Sequence, residues 1–137
     1  MIIAIDFDET IVNSETMVSE QLSASNGGYD FKILGLQENA KEVIKWLYTE
    51  GHTLILWTCR NGHYLHEARL WLNNNNMEEY FETFNQQCKE VMLHRYWSCF
   101  NTRKVYADIY IDDKNIGGFP GWLYVKKYIQ DHNKSNQ

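Results

Sequence analysis

The chain has 137 residues, 44% of them hydrophobic and 23% charged, with a formal net charge of −5, which fits one globular domain able to bury about two-thirds of the surface its unfolded form would expose. No apolar run is long enough to span a membrane, and the negative balance offers no general attraction for a polyanion such as DNA, so nucleic acid is a disfavoured partner. Cys59, Cys88 and Cys99 are odd in number and form no CxxC pair, which argues against a disulfide framework or a thiolate zinc site and suits a reducing cytoplasm.

Residues 2–6 are apolar, rich in Ile and end in a carboxylate, as a buried parallel strand does when it delivers a functional residue at its C-terminal edge. The same early carboxylates make MIIAI too short for the apolar region of a secretory signal. Asn13–Leu36 offers a flap and a loop, and the Ser, Asn and Gly of Ser23–Gly28 suit a mobile surface segment. Within Glu38–Glu50, Ala40, Val43, Ile44 and Leu47 recur at helical spacing, and Gly51 stands where a left-handed C-terminal cap belongs. Thr53–Trp57 reads as a second buried strand, so strand, helix and strand imply a right-handed parallel crossover.

Asn61-Gly62 leads into a second helix with Leu65, Ala68 and Leu72 on one face, ended by the run Asn73–Asn76. Tyr80–Asn85 is a short third strand, and Gln87–Trp97 a helix with Val91 and Met92 available for burial. Asp108–Asp112 is the last strand, followed by a turn at Gly117, Gly118 and Gly121 and a closing helix over Trp122–Gln130. Residues 131–137 read as a polar tail, which leaves residues 1–130 as a single α/β domain. There is no internal repeat.

The chemistry gathers at strand ends. Asp6, Phe7 and Asp8 form DFD after the first strand, and period-two geometry throws both carboxylates to one side. A lone DxD is weak evidence. Asp112 and Asp113 end the last strand, however, at the edge where open α/β sheets place their ligands. So much negative charge in one place calls for a cation, and oxygen donors suit Mg²⁺. Thr58 ends the Thr53–Trp57 strand and puts a hydroxyl at the same edge, ahead of a helix N-terminus that favours anions.

In order and spacing these residues resemble the haloacid dehalogenase superfamily: Asp6-Phe7-Asp8-Glu9-Thr10 is similar to its DxDxT motif, Thr58 to its second motif and Asp112-Asp113 to its acidic fourth motif. The resemblance spans nearly the whole chain and is closest to small capless members with a Lys ahead of a DIYIDD-like strand, here Lys104 through Asp113. It implies a three-layer, Rossmann-like sandwich without a sizeable cap, and a Mg²⁺-dependent phosphatase. Asp6 would attack phosphorus to form an aspartyl-phosphate, and Asp8 would protonate the leaving oxygen and later activate water. Thr58 and Lys104 would hold the phosphoryl oxygens, with Cys59 and Arg60 in the substrate-binding segment. The metal would lie between the Asp6 carboxylate, the Asp8 main-chain carbonyl and the Asp112 carboxylate, with Asp113 orienting those ligands and Thr10 bracing the loop that carries Asp8. The resemblance further implies an open site that admits bulky phosphorylated substrates or is closed by a second subunit of a homo-oligomer, with small sugar phosphates an alternative substrate class.

Glu9 and Val105 depart from the family pattern, where Gly and Pro are commoner. Were residues 104–112 one continuous strand, Lys104 would lie roughly 26 Å from Asp112, so its role requires a turn near Val105–Ala107; Lys89 is the substitute. Arg60 is equally well read as a solvated residue near a helix start. Cys59 is expected to be buried and structural, His63 and His66 to be surface residues, and Tyr96, Trp97, Phe100, Tyr106 and Tyr110 to be core aromatics. Two other readings compete: a non-catalytic phosphate- or metal-binding module, and a receiver-like domain, whose phosphoacceptor would sit on a middle strand of the sequence instead of the first.

Overall fold

The structure, a computed structural model, describes residues 1–17, 30–95 and 102–136. Among these, the elements run β1 (Ile2–Ile5), β2 (Val12–Met17), β3 (Asp30–Leu36), α1 (Ala40–Thr49), β4 (Thr53–Leu56), α2 (Gly62–Asn74), β5 (Phe81–Phe84), β6 (Ile109–Ile111) and α3 (Trp122–Ser135). The chain is α/β. Its central sheet has the order β5-β4-β1-β6, and every pairing in it is parallel.

The strands are short and apolar because both faces of the sheet are covered. Ile3, Ile5, Leu54 and Leu56 pack with Ile44 and Leu47 of α1, Ala68 and Leu72 of α2, and Val125 and Ile129 of α3. On the opposite face Ile2, Ala4 and Ile55 meet Cys88, Val91, Val105 and Ala107. All three helices thus share one side. The sheet is flanked on both faces as a Rossmann-like sandwich is, the second face being covered in part by the segment where a helix is expected, Gln87–Trp97. Among the described residues that segment holds a π-helical turn at Val91–Arg95; Val91 is buried, but Met92 points outward at 48% exposure. The remainder of the expected helix, and with it Tyr96, Trp97 and Phe100, lies outside the described residues.

Predicted and observed elements agree closely elsewhere. The cap after α1 forms with Gly51 at φ 85, its N–H donating to the Tyr48 carbonyl at 3.0 Å, a left-handed conformation that side-chain-bearing residues resist. α3 runs on to Ser135 instead of ending near Gln130, so most of the expected tail is helix. β2 and β3 form an antiparallel pair with a bulge at Asn13/Ser14, where the sequence suggested only a flap and loop; the Ser23–Gly28 segment lies outside the described residues. Among the described residues, no helix is long and apolar enough to cross a membrane.

Sheet order also fixes where function can reside. The crossovers from β1 to β4 and from β4 to β5 run one way, and the return to β6 runs the other. The strand order therefore reverses beside β1, and a crevice opens at the carboxyl ends of β1 and β6.

Candidate functional site

Ile5 is in register with both Leu56 and Ile111, so the residues that follow those three, Asp6, Trp57 and Asp112, emerge side by side. Asp6 N–H donates to the Ile111 carbonyl at 2.9 Å, and Trp57 N–H to the Ile5 carbonyl at 2.8 Å. The sheet ladder thus continues one step beyond the strands proper. Carboxylate oxygens of Asp6, Asp112 and Asp113 come within 4.8 Å of one another. Asp113, expected to orient the ligands, lies within the cluster itself.

Burial pushes the Asp6 carboxyl up to about 8 from its ordinary 3.8, aided by the charges of Asp112 and Asp113 and a hydrogen bond with Asp113, and opposed by a backbone hydrogen bond from Phe7. Like charges so close are relieved by a cation. The donors are hard oxygens at the rim of an open cavity, the chemistry that suits a hard divalent cation. That cavity has a volume of about 510 Å³ and is lined by Asp6, Asp8, Thr58, Cys59, Asp112 and Asp113, with Trp57, Glu9, Ser14 and Lys114 completing its wall. A second groove of about 400 Å³ lies between β6 and α3, but of the acidic cluster only Asp112 reaches it.

The loop after β1 folds tightly on itself. The Phe7 carbonyl accepts the N–H groups of Thr10, Ile11 and Val12 at 3.3, 2.9 and 3.2 Å, and Glu9 adopts φ 59. This is the left-handed conformation that glycine would take without cost. Glu9 uses its position: Oε1 accepts Ser14 N–H at 2.6 Å and Ser14 Oγ at 3.2 Å, tying the base of the β2–β3 pair to the acidic loop. Thr10 is buried, but its hydroxyl has no partner among the described residues. Its expected bracing role falls to its carbonyl, which accepts Trp122 Nε1–H at 2.8 Å.

Arg60 does not line the cavity. Its side chain is 1% exposed and grips Asp8 with two hydrogen bonds, Nε to Oδ2 at 2.7 Å and Nη2 to Oδ1 at 2.8 Å. Both sequence readings, solvated residue and substrate clamp, give way to this buried pair. The Thr58–Arg60 segment is held in turn by Asn85, which accepts Thr58 N–H on Oδ1 at 2.8 Å and donates from Nδ2 to the Arg60 carbonyl at 2.9 Å. Thr58 Oγ1 accepts Arg60 N–H at 3.2 Å. Cys59 is exposed on the cavity wall instead of buried, because the chain has already left the sheet there.

Neither lysine candidate lines the cavity. The chain does leave strand geometry between Lys104 and Ala107, as the sequence argument required, with β6 starting only at Ile109. Yet Lys104 Nζ lies 4.5 Å from the centre of the Tyr110 ring, a cation–π contact on the sheet face away from the α-helices. Lys89 is exposed, its N–H donating to Glu82 at 3.0 Å. The lysine in the wall is Lys114, 3.7 Å from Asp113. Lys114 and Asn85 were missed in the sequence reading, although one directly follows Asp112-Asp113 and the other ends a predicted strand at the same edge. His63 and His66 are exposed, and neither joins the acidic cluster.

Fold and cluster define a parallel α/β protein with an acidic, cation-ready crevice at its topological switch point. No family model matches the chain, and no curated protein does. Among solved structures it is similar to a conserved protein coded by a locus of Bacteroides thetaiotaomicron, with 32% sequence identity, a TM-score of 0.71, and coverage of 96% of this chain and 91% of that one. At that identity over nearly the full length of both, the chain belongs to the same family as the Bacteroides protein.

Proposed function

We propose that the chain is a Mg²⁺-dependent phosphohydrolase of the haloacid dehalogenase type, cytoplasmic and without a cap, acting on phosphomonoesters. The observation that carries this reading is the meeting of Asp6, Asp112 and Asp113 within 4.8 Å in a cavity that also holds Asp8 and Thr58. Asp6, Asp112 and the Asp8 main chain would hold the ion, and Asp113 is close enough to share it. When bound, Mg²⁺ would neutralise the phosphoryl oxygens and draw Asp6 into its anionic form.

The Asp6 carboxylate attacks phosphorus in line, and the phosphorus–ester oxygen bond breaks. Asp8 gives its proton to the departing oxygen, which leaves as an alcohol. Water then attacks the aspartyl-phosphate while Asp8 takes up its proton, and the Asp6–phosphorus bond breaks to release inorganic phosphate. A carboxylate is a weak nucleophile, so positioning and charge neutralisation must supply most of the acceleration. Thr58 contributes its hydroxyl to the phosphate pocket. Lys114 stands at the rim, 3.7 Å from Asp113.

The test is release of phosphate from a generic aryl phosphate. Turnover should require Mg²⁺ and fall to background in Asp6→Asn, with the folded state checked by circular dichroism. Binding of phosphoesters without turnover across a broad panel would instead mark the chain as a phosphate- or metal-binding module.

A further inference from the structure

Arg60 has no part in the reaction set out above, yet it is the most completely enclosed charge near the site. We propose that Arg60 is a positioning residue that aims the Asp8 carboxyl at the leaving-group oxygen, an inference that rests on the phosphohydrolase reading. Asp8 lies on the loop after β1, beyond the sheet, beside Glu9 at φ 59, so the aim of its carboxyl depends on what that carboxyl touches. The Arg60 fork removes that freedom, meeting both oxygens at 2.7 and 2.8 Å. A planar guanidinium fixes the plane of a carboxylate in a way that a single ammonium does not.

The fork is itself well anchored. It lies 5.1 Å from the centre of the Phe7 ring, donates from Nη1 to the Tyr64 carbonyl at 3.2 Å, and sits on a backbone held by Asn85. At 1% exposure the side chain is closed to a substrate anion. Arg60 neither gives nor takes a proton in either half-reaction; with both Asp8 oxygens accepting from the guanidinium, the proton that Asp8 delivers is carried on an oxygen lone pair outside the fork. Its effect falls on the proton that passes from Asp8 to the ester oxygen as the phosphorus–oxygen bond breaks. That proton matters most when the departing oxygen is a strongly basic alkoxide and least when it is a stable phenolate.

The experiment compares kcat/KM, which reports the step that expels the leaving group, for glycerol phosphate and p-nitrophenyl phosphate in the wild type and in Arg60→Lys. Positioned acid–base groups contribute ~10²–10⁴-fold, so loss of aim should cost about tenfold or more on the alkyl ester and less than about threefold on the aryl ester. Equal losses on both would overturn the inference, since a merely structural role lowers both alike. In an Asp8→Asn background, Arg60→Lys should change kcat/KM by less than about twofold; a full further loss there would also overturn it. Should Arg60→Lys fail to fold, Arg60→Gln takes its place, because it removes the charged fork and leaves the Asn85 bonds to the Thr58–Arg60 backbone intact. It should show the same alkyl-selective loss, and an even loss would count against the proposal. A wild type inert toward both esters with Mg²⁺ would sink the phosphohydrolase reading and this inference together, whereas turnover with equal losses would sink this inference alone.

Discussion

Three carboxyl groups compete for one volume at Asp6, and the cost appears in its proton affinity. The folded value of about 8 stands above the ordinary 3.8, so the folded chain holds this proton more tightly than the unfolded chain does. The associated stability is complete below pH ~3.8 and is lost as pH rises toward ~8. In chelator, the thermal midpoint should therefore decline between pH 5 and pH 8, and added Mg²⁺ should raise it more at pH 8 than at pH 5. Scanning calorimetry at both values checks this, and a Mg²⁺ effect equal at the two would remove the acidic cluster as its source. Lys114 supplies a second test. It is exposed, so its charge should be worth no more than ~1 kcal/mol: Lys114→Ala should raise KM for an aryl phosphate about threefold to fivefold, while Lys104→Ala, over Tyr110, leaves it within about twofold. The opposite ranking in steady-state kinetics would return the phosphate to Lys104.

α3 is joined to the acidic loop through the hydrogen bond from the Trp122 indole to the Thr10 carbonyl, buried and 112 residues apart in sequence. Trp122→Phe keeps an aromatic ring in the core but strands that carbonyl, at an expected cost of roughly 1–3 kcal/mol. The urea midpoint reads this directly, and a change below ~0.5 kcal/mol would show that the bond contributes little. Where the sequence spoke clearly, it spoke through period. The apolar runs at Ile2–Ile5 and Thr53–Leu56, and the spaced Ala40, Val43, Ile44 and Leu47, each describe a face that must be buried, and each element formed where that face required. β2 and β3 were not read because their pairing is a long-range match between two half-polar segments, with no core-facing run to announce it. The acids were legible because they end strands. Arg60 was not, since its meaning lies in Asp8, a partner 52 residues away, and no local pattern encodes that distance. The place of Lys104 was illegible for a related reason: its sequence position matches a motif, and the turn before β6 sets its ammonium over Tyr110.

At the scale of the molecule, among the described residues no helix lines the cavity, and the β2–β3 pair reaches its wall only through Ser14, which Glu9 ties to the acidic loop. Such an open rim is the proposed basis for accepting large phosphorylated substrates, and a phosphopeptide should be turned over with kcat/KM within about tenfold of that for a small aryl phosphate. Strict exclusion of the larger ester in the same assay would mean that something closes the rim. The place of β1 carries a consequence for how the chain comes into being. It precedes both of its neighbours in the sequence, which are supplied by residues 53–56 and 109–111, and the bond from Ile2 N–H to Asp108 spans 106 residues. One edge of β1 can therefore pair as soon as β4 is present, while its other edge stays open until β6 follows, a delay that long-range pairing imposes on folding rate and that exposes an adhesive edge to neighbours. A chain halted before residue 109 would possess Asp6 yet lack the crevice, so affinity for a divalent ion should switch on only once β6 and Asp112-Asp113 have been added.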